Sequence, residues 1–546
     1  MVVHTRYREI LSHILPGRDT RRHAYMQAME RQPILPSVVM VEDLVQSRIL
    51  KPQHKTFLPQ WMRHFFTIDV SPDNYLTVDL QRRALWVALA LILQSMNEIK
   101  HSLYFPILGP FASVVPFILI LSSFYALWRA FRTTKHPLAQ KAQYTQTLQA
   151  GKKYPTRTQR LLLIITVLLM IGGILELGYS LILCVIPPQF SNDGTSLDTN
   201  AAILLLEGRN PYTDSSMINL ARRFPIQPDW TTPLRVGQFA HTLDYPSMSD
   251  LQSVLDTDLK AGSMPEFESK VSYPALSFLT LIPFALIGDY NVLPFYLLCY
   301  IALVALGWKM ARPALRPWIL VFALANVPMW TSTSGGNLDV FTILLIVAAW
   351  LWREKRWASA LLFGLAMASK QTAWFLAPFY AILIFRQYGW RDALLRLSVV
   401  GSVFFAFNLP FILWNPHAWL AGVLAPVSDP MFPMGVGLVG LSTTHLIPYL
   451  PQSVYTALEG IAMLGSLVWY WRICRARPEA ALLLAVVPLF FAWRSLPSYF
   501  YCAAFPIFIL MVARNRNKTA EVPESPKITR ALHIAEFDRP TVEATY

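Results

Sequence analysis

The stretch Leu161–Ile186, LLLIITVLLMIGGILELGYSLILCVI, decides the fold. Its 26 residues hold one charged side chain, Glu176. A bilayer core about 30 Å thick needs roughly 20 apolar residues in a helix, so this segment is long enough to cross. A water-free environment leaves the backbone no partner but itself, which makes the crossing helical. Similar runs recur on both sides of it, near 84–97 and 103–128, and then at 273–288, 291–310, 317–332, 339–352, 358–369, 372–385, 394–414, 455–472, 479–493 and 498–513. The predicted fold class is therefore all-α, a polytopic transmembrane bundle of about 11–13 hydrophobic segments with a long external loop carrying short helices.

Composition agrees. Hydrophobic residues make up 54% of the 546 and charged ones 15%, against about a quarter charged in a soluble domain; the mean hydropathy is +0.38. The net charge of +14 does not indicate nucleic acid, because the cations sit between apolar runs: Arg129 to Arg160, Arg353 to Arg356, Arg386 to Arg396, Arg472 to Arg477 and Arg514 to Lys518. That is the positive-inside pattern and it orients the chain. The four cysteines, Cys184, Cys299, Cys474 and Cys502, lie in or beside apolar runs and have no disulfide or metal-ligand spacing.

The expected organisation is a cytoplasmic extension over 1–83, a helical hairpin with a basic cytoplasmic linker over 84–160, a membrane domain over 161–513, and a disordered cytoplasmic tail over 514–546. The first 80 residues lack a signal-peptide pattern. Loop 187–272 should lie outside. It holds eleven Asp or Glu against six Lys or Arg and is rich in Pro and aromatic residues; that length is rarely left without structure. Loop 415–454 should share its side, but seven apolar segments lie between the two, an odd number. Segment 273–288 fits least well as a crossing: either it is interfacial or re-entrant, or one short neighbouring pair crosses only once, and the sequence leaves this open.

Charges next to lipid are costly and read as functional by default. Asp193 and Asp198 follow the clear span closely, and Lys370 sits between two apolar runs in Ser369-Lys370-Gln371. A carboxylate beside a membrane cavity has its pKa raised by desolvation, which suits a general base. Asp198 opens a helix-like stretch that Gly208 ends as a C-terminal cap, and Arg209-Asn210-Pro211-Tyr212 then turns the chain. Lys370 and Arg494 are candidate cations for a phosphate; an arginine in an external turn runs against the positive-inside bias. Asn337 and Asp339 either bind a polar ligand or cap the next helix. His417 and His445 read as loop residues, and Trp350, Trp352, Trp414 and Trp419 as interface anchors.

The order of these motifs resembles a family. Asn192-Asp193-Gly194, a short helix through Ala201-Ala202 and Leu204 to Leu206, then Gly208-Arg209-Asn210-Pro211-Tyr212 looks like the first external loop of the C-type superfamily of integral-membrane glycosyltransferases. The closest likeness is to its bacterial, polyprenyl-phosphate-sugar-dependent, mannosyltransferase-like branch. Tyr273-Pro274-Ala275-Leu276 with Pro283 to Leu286, Gly335-Gly336-Asn337 ahead of Arg353 to Arg356, and Phe363 to Gln371 follow in that family's order, so the likeness covers about 160–510. Gly336 and Gln371 depart from the residues usual there. The resemblance implies transfer of a mannose-like hexose from a polyprenyl-phosphate donor to a lipid or glycan acceptor on the non-cytoplasmic face of a bacterial plasma membrane. It implies Asp193 or Asp198 as catalytic base, Lys370 and Arg494 on the donor phosphate, and Asn210, Tyr212, Asn337, Gln371 and Tyr499 as substrate-binding residues. Its partners would be donor, acceptor and membrane lipids, with no nucleic acid. No zinc spacing or nucleotide loop is present; the need for a divalent cation stays open. The rival reading is a transporter or lipid flippase, which also buries charges in broken helices; a non-catalytic envelope scaffold is the third.

Overall fold

The computed structural model describes residues 78–98, 107–132, 157–186 and 192–513, apart from 225 and 502, together with Met62, Phe65, Phe66 and Phe190. Most of the extension expected over 1–83, the greater part of the linker before 157, and the tail over 514–546 lie outside the described residues.

The described chain is mostly helical, joined by turns and irregular loops, with two two-residue strands among the described residues. Its principal helices are α1 Val78–Met96, α2 Val114–Phe131, α3 Arg157–Leu183, α4 Asp193–Leu206, α5 Met248–Ala261, α6 Leu293–Met310, α7 Arg316–Ala325, α8 Val327–Ser334, α9 Asp339–Leu351, α10 Arg356–Ser369, α11 Ala377–Tyr388, α12 Trp390–Trp414, α13 Pro416–Ser428, α14 Gln452–Ile473 and α15 Ala504–Val512. Four helices are long and apolar enough to cross a membrane alone: Phe111–Phe131, which contains α2, and α3, α6 and α12. The 13-residue α9 is too short to span unaided, yet it is buried along nearly its whole length among its neighbours. Its protein surroundings take the place of lipid.

The decisive segment 161–186 forms α3. Leu163, Thr166, Gly173 and Ser180 are its buried residues, while Leu161, Ile164, Leu168, Ile171 and Leu175 face outward. Hydrophobic burial cannot hold two helices together in hydrocarbon, so close packing does. Gly173 supplies it: a Cβ there would collide with the Leu324 carbonyl of α7.

The contact between the outer loops resolves the odd count of crossings. Loop 187–272 folds around Phe190, Leu197, Met217, Leu220, Trp230 and Phe267, and the core is completed by Phe432 from the second loop. The Lys270 ammonium pairs with Asp429 at 2.6 Å, the Arg235 N–H donates to the Pro430 carbonyl at 2.7 Å, and Leu234 forms a bridge with Met431. Both loops therefore lie on one side. Segment 273–288 does not cross: it breaks into Leu276–Leu279 and Ile282–Leu286, four and five residues long. Between the loops α6 and α12 are long and apolar enough to cross alone, and with 273–288 set aside the apolar segments there number six, an even set. Segments 317–332 and 479–493, read as continuous, are interrupted as well, the first at Asn326 and the second around Pro488. At the outer end, Met434-Gly435 and Arg494-Ser495 pair as short parallel strands.

Candidate active site

The site begins at the N-terminus of α4. Asn192 has extended backbone and its Oδ1 accepts the Thr195 N–H at 2.9 Å, capping the helix. The Asn192 Nδ2 donates to Asn337 Oδ1 at 2.7 Å and to the Gly335 carbonyl at 3.3 Å, and Thr195 Oγ1 donates to the Gly336 carbonyl. The Gly335-Gly336-Asn337 turn thus latches the start of α4 to the start of α9. Gly336 lies at φ +68°, in the left-handed region that glycine adopts without strain.

Asp193 is half-buried on the first turn of α4, and its Oδ1 accepts the Gly194 N–H at 2.9 Å. Gly194 has no room for a side chain: a Cβ would stand 2.8–2.9 Å from the Tyr273 ring. The Lys370 ammonium lies 5.1 Å from the centre of that ring and pairs with Asp339 Oδ1 at 2.7 Å. Asp339 opens α9, two residues after Asn337. Asp193, Tyr273, Lys370, Asp339, Asn337 and Asn192 are therefore gathered from four parts of the chain.

Lys370 stands where the helix breaks. α10 ends at Ser369, Lys370 is extended, and Gln371–Leu376 is a 3-10 turn before α11. Irregular backbone at this depth survives only inside protein or beside a cavity. Here Gln371 anchors it, its Nε2 donating to the Ser272 and Val423 carbonyls. Of the three ammonium donors of Lys370, one is taken by a protein acceptor among the described residues.

The other predicted residues fall into two places. Asn210 caps Pro211–Asp214 by accepting the Tyr212 N–H. The Tyr212 hydroxyl donates to the Tyr273 carbonyl at 2.8 Å, and its ring packs against Phe278 and Phe411. Asn210, Tyr212 and Gln371 therefore sit behind Tyr273 and hold it. Tyr499, half-buried, is within electrostatic reach of both Lys370 and Arg494, and Arg494 Nη1 donates to the Phe432 carbonyl at 3.1 Å.

Asp198 differs from Asp193. It is 1% exposed and its Oδ1 accepts from Ser277 Oγ at 2.9 Å, while its Oδ2 is buried without a hydrogen-bond partner among the described residues. Burial pushes its carboxyl up to about 8 against the opposing pull of Ser277 and Lys370, with Asp193 adding to the rise. At neutral pH it is mostly a neutral acid. Sequence reading missed Tyr273 and Ser277 as site residues; Tyr273 was visible only as part of a motif. Among the described residues, no three His, Cys, Asp or Glu side chains gather to hold a metal ion.

Residues 272–497, which take in Tyr273, Asn337, Asp339, Lys370 and Arg494, match the model of glycosyltransferase family 87. That match takes in less than half of the 546 residues, and within it the chain is similar to a glycosyltransferase. Over 86 residues the chain is 31% identical to the human Dol-P-Man:Man(5)GlcNAc(2)-PP-Dol alpha-1,3-mannosyltransferase, covering 16% of this chain and 20% of that relative's length. No solved structure matches the chain. The matches lend nothing to the transporter reading.

Proposed function

We propose that this protein is a glycosyltransferase that moves a mannose-like hexose from a polyprenyl-phosphate-linked donor to a lipid or glycan acceptor, at the face of a bacterial plasma membrane that carries the two outer loops. The observation that supports the proposal is the cluster in which the half-buried Asp193, next to the Gly194 that abuts Tyr273, and the Lys370 ammonium, held by Asp339, gather around that tyrosine. The relative's printed name, with its dolichyl-phosphate-mannose donor, supports the donor class.

In this reading Asp193 takes the proton from the acceptor hydroxyl as its oxygen bonds to the anomeric carbon. The bond from that carbon to the phosphate oxygen breaks, and polyprenyl phosphate leaves with both electrons. Lys370 and Arg494 stabilise the charge developing on the phosphate, an electrostatic contribution that grows toward the transition state. Asp339 fixes the direction of the lysine. Asn337 and Tyr499 are placed to meet the sugar, while Asn210, Tyr212 and Gln371 act through Tyr273. Asp198, buried and neutral, supports the wall rather than serving as base. The same reading makes 161–513 the catalytic unit, with 1–83, the linker before 157 and 514–546 on the cytoplasmic side.

The test is transfer of radiolabelled sugar from polyprenyl-phosphate-mannose or -glucose to an envelope-lipid acceptor pool by purified protein. Incorporation by wild type that is lost in Asp193→Asn and kept in Asp198→Asn is the expected result. Incorporation that survives Asp193→Asn but not Asp198→Asn would move the base to Asp198. Survival in the double variant would overturn the mechanism.

A further inference from the structure

At the end of the bundle remote from this site, a second cavity is lined by arginine and tryptophan. α14 starts beside the second outer loop and runs 22 residues, about 33 Å at 1.5 Å per residue, so its C-terminus marks the opposite membrane face. There a cavity of about 520 Å³ lies between the start of α1, the end of α2 and the end of α14. Arg82, Arg129, Arg132, Trp86, Trp128 and Trp469 line it.

The arginines are not equivalent. Arg83, also in the wall, is occupied by Glu479 and the Ala130 carbonyl, and the one acidic lining residue, Asp79, is 3.6 Å from Arg477. Arg129 stacks on Trp86 and Arg132 on Trp128, each 5.1 Å from the ring centre. Among the described residues Arg82, Arg129 and Arg132 have no carboxylate partner. Three cations held toward one cavity by aromatic faces and not neutralised there suit an anion.

A second cavity of about 670 Å³ adjoins the first and shares Trp128 and Trp469 with it. It runs toward the membrane interior between α2, α14 and the 478–491 segment, lined by Leu121, Phe124, Leu483 and Val487. From Leu121 to Trp128 it follows α2 for about 10 Å. Gly465 on its wall has nothing within 4 Å of where a Cβ would stand. A basic chamber at the membrane surface that opens into an apolar groove is the shape of a lipid head and the first part of its chain. Basic pockets between transmembrane helices on the cytoplasmic side are recognised sites for anionic headgroups.

We propose that the two cavities together bind an anionic phospholipid of the leaflet opposite the outer loops, its phosphate on Arg82, Arg129 and Arg132 and an acyl chain between α2 and α14. The inference is independent of the assignment of the transfer site. The test is native mass spectrometry of the full-length detergent-purified protein with phosphatidylglycerol or phosphatidylcholine of identical chains. Wild type should retain phosphatidylglycerol at least tenfold better. The Arg129→Glu/Arg132→Glu variant should lose that preference. Gly465→Phe, which fills open space without touching the arginines, should weaken phosphatidylglycerol by a similar factor and leave binding of inorganic phosphate, read by thermal shift, unchanged; it also serves if the charge-reversed protein fails to fold. Equal retention of the two lipids by wild type would overturn the proposal. So would retention unaffected by Gly465→Phe, which would mark a site for a soluble anion.

Discussion

Two buried ion pairs, one near each end of the bundle, are built from similar side chains and do different work. At the inner end Asp392 accepts from Arg396 at 2.5 Å and from Arg356 at 2.6 Å. Arg396 also donates to the Arg353 carbonyl and lies 4.6 Å from the centre of the Tyr388 ring. Both carboxylate oxygens of Asp392 are taken, the Arg396 guanidinium is held by Asp392, the Arg353 carbonyl and the Tyr388 ring, and the cluster ties the start of α10 to α12. At the outer end Lys370 has Asp339 and the face of Tyr273, on a backbone that has left the helix. A carboxylate clamped through both oxygens between two helices is a fastener. An ammonium with donors to spare, beside a carboxylate and an aromatic ring, is arranged to receive something.

The largest expected effect tests what the outer cluster is for. Asp193→Asn should lower transfer by about 10²–10⁴-fold, the usual contribution of a general base, with thermal unfolding in detergent unchanged because the side chain is half-exposed and bonds only to its neighbour's N–H. A variant that keeps its rate would remove the contrast.

Next come the two cations. Lys370→Met leaves Asp339 buried without a counter-ion and should cost about 3–5 kcal/mol of stability as well as activity. Adding Asp339→Asn should restore much of the stability and none of the transfer. Arg396→Met should cost a similar amount, yet the folded fraction, counted by size exclusion, should transfer at the wild-type rate. If both cations behave alike in the transfer assay, the distinction between fastener and receiver fails.

A smaller effect separates the two aspartates by pH. Asp198 has a folded pKa raised to about 8, so between the unfolded value near 4 and about 8 the folded state holds a proton that the unfolded state has lost. Stability therefore falls as pH rises through that window, by about 1.4 kcal/mol per pH unit for one such proton. Asp198→Asn should remove that share of the slope in melting curves from pH 5 to 8 while retaining most of the transfer activity. An unchanged slope would mean that Asp198 is ionised in the fold.

The smallest effect concerns the latch. Asn192→Ala removes the cap of α4 and the bonds to Gly335 and Asn337, and should cost about 1 kcal/mol, read as a lower melting temperature.

The fold was legible where lipid dictates it. The run 161–186 allows no structure but a helix, and α3 occupies it. Legibility failed where apolar composition is ambiguous: 273–288 has the hydrophobicity of a span, and only its contacts show two short turns beneath the outer loops. In the candidate site, Asp193 and Lys370 stood out as charges in a greasy chain, and Asn337 as a polar residue after two glycines. Their pairings did not. Lys370 and Asp339 are 31 residues apart on successive helices, and the hydrogen bond from Asn192 to Asn337 spans 145; no local period encodes either. Tyr273 was hidden for another reason. An aromatic residue at the end of an apolar segment reads as an interface anchor, and its place between Gly194 and Lys370 exists only in three dimensions.

The clasp between the outer loops also sets a timetable for biosynthesis. Lys270 waits for Asp429, 159 residues later, and the first loop's core stays open until Phe432 arrives. Six intervening apolar segments must be threaded before that lid can be fitted. Throughout that interval the growing chain displays an acidic loop with its apolar interior uncovered, so the ribosome-bound intermediate, rather than the finished protein, is the form most in need of a chaperone at the outer face.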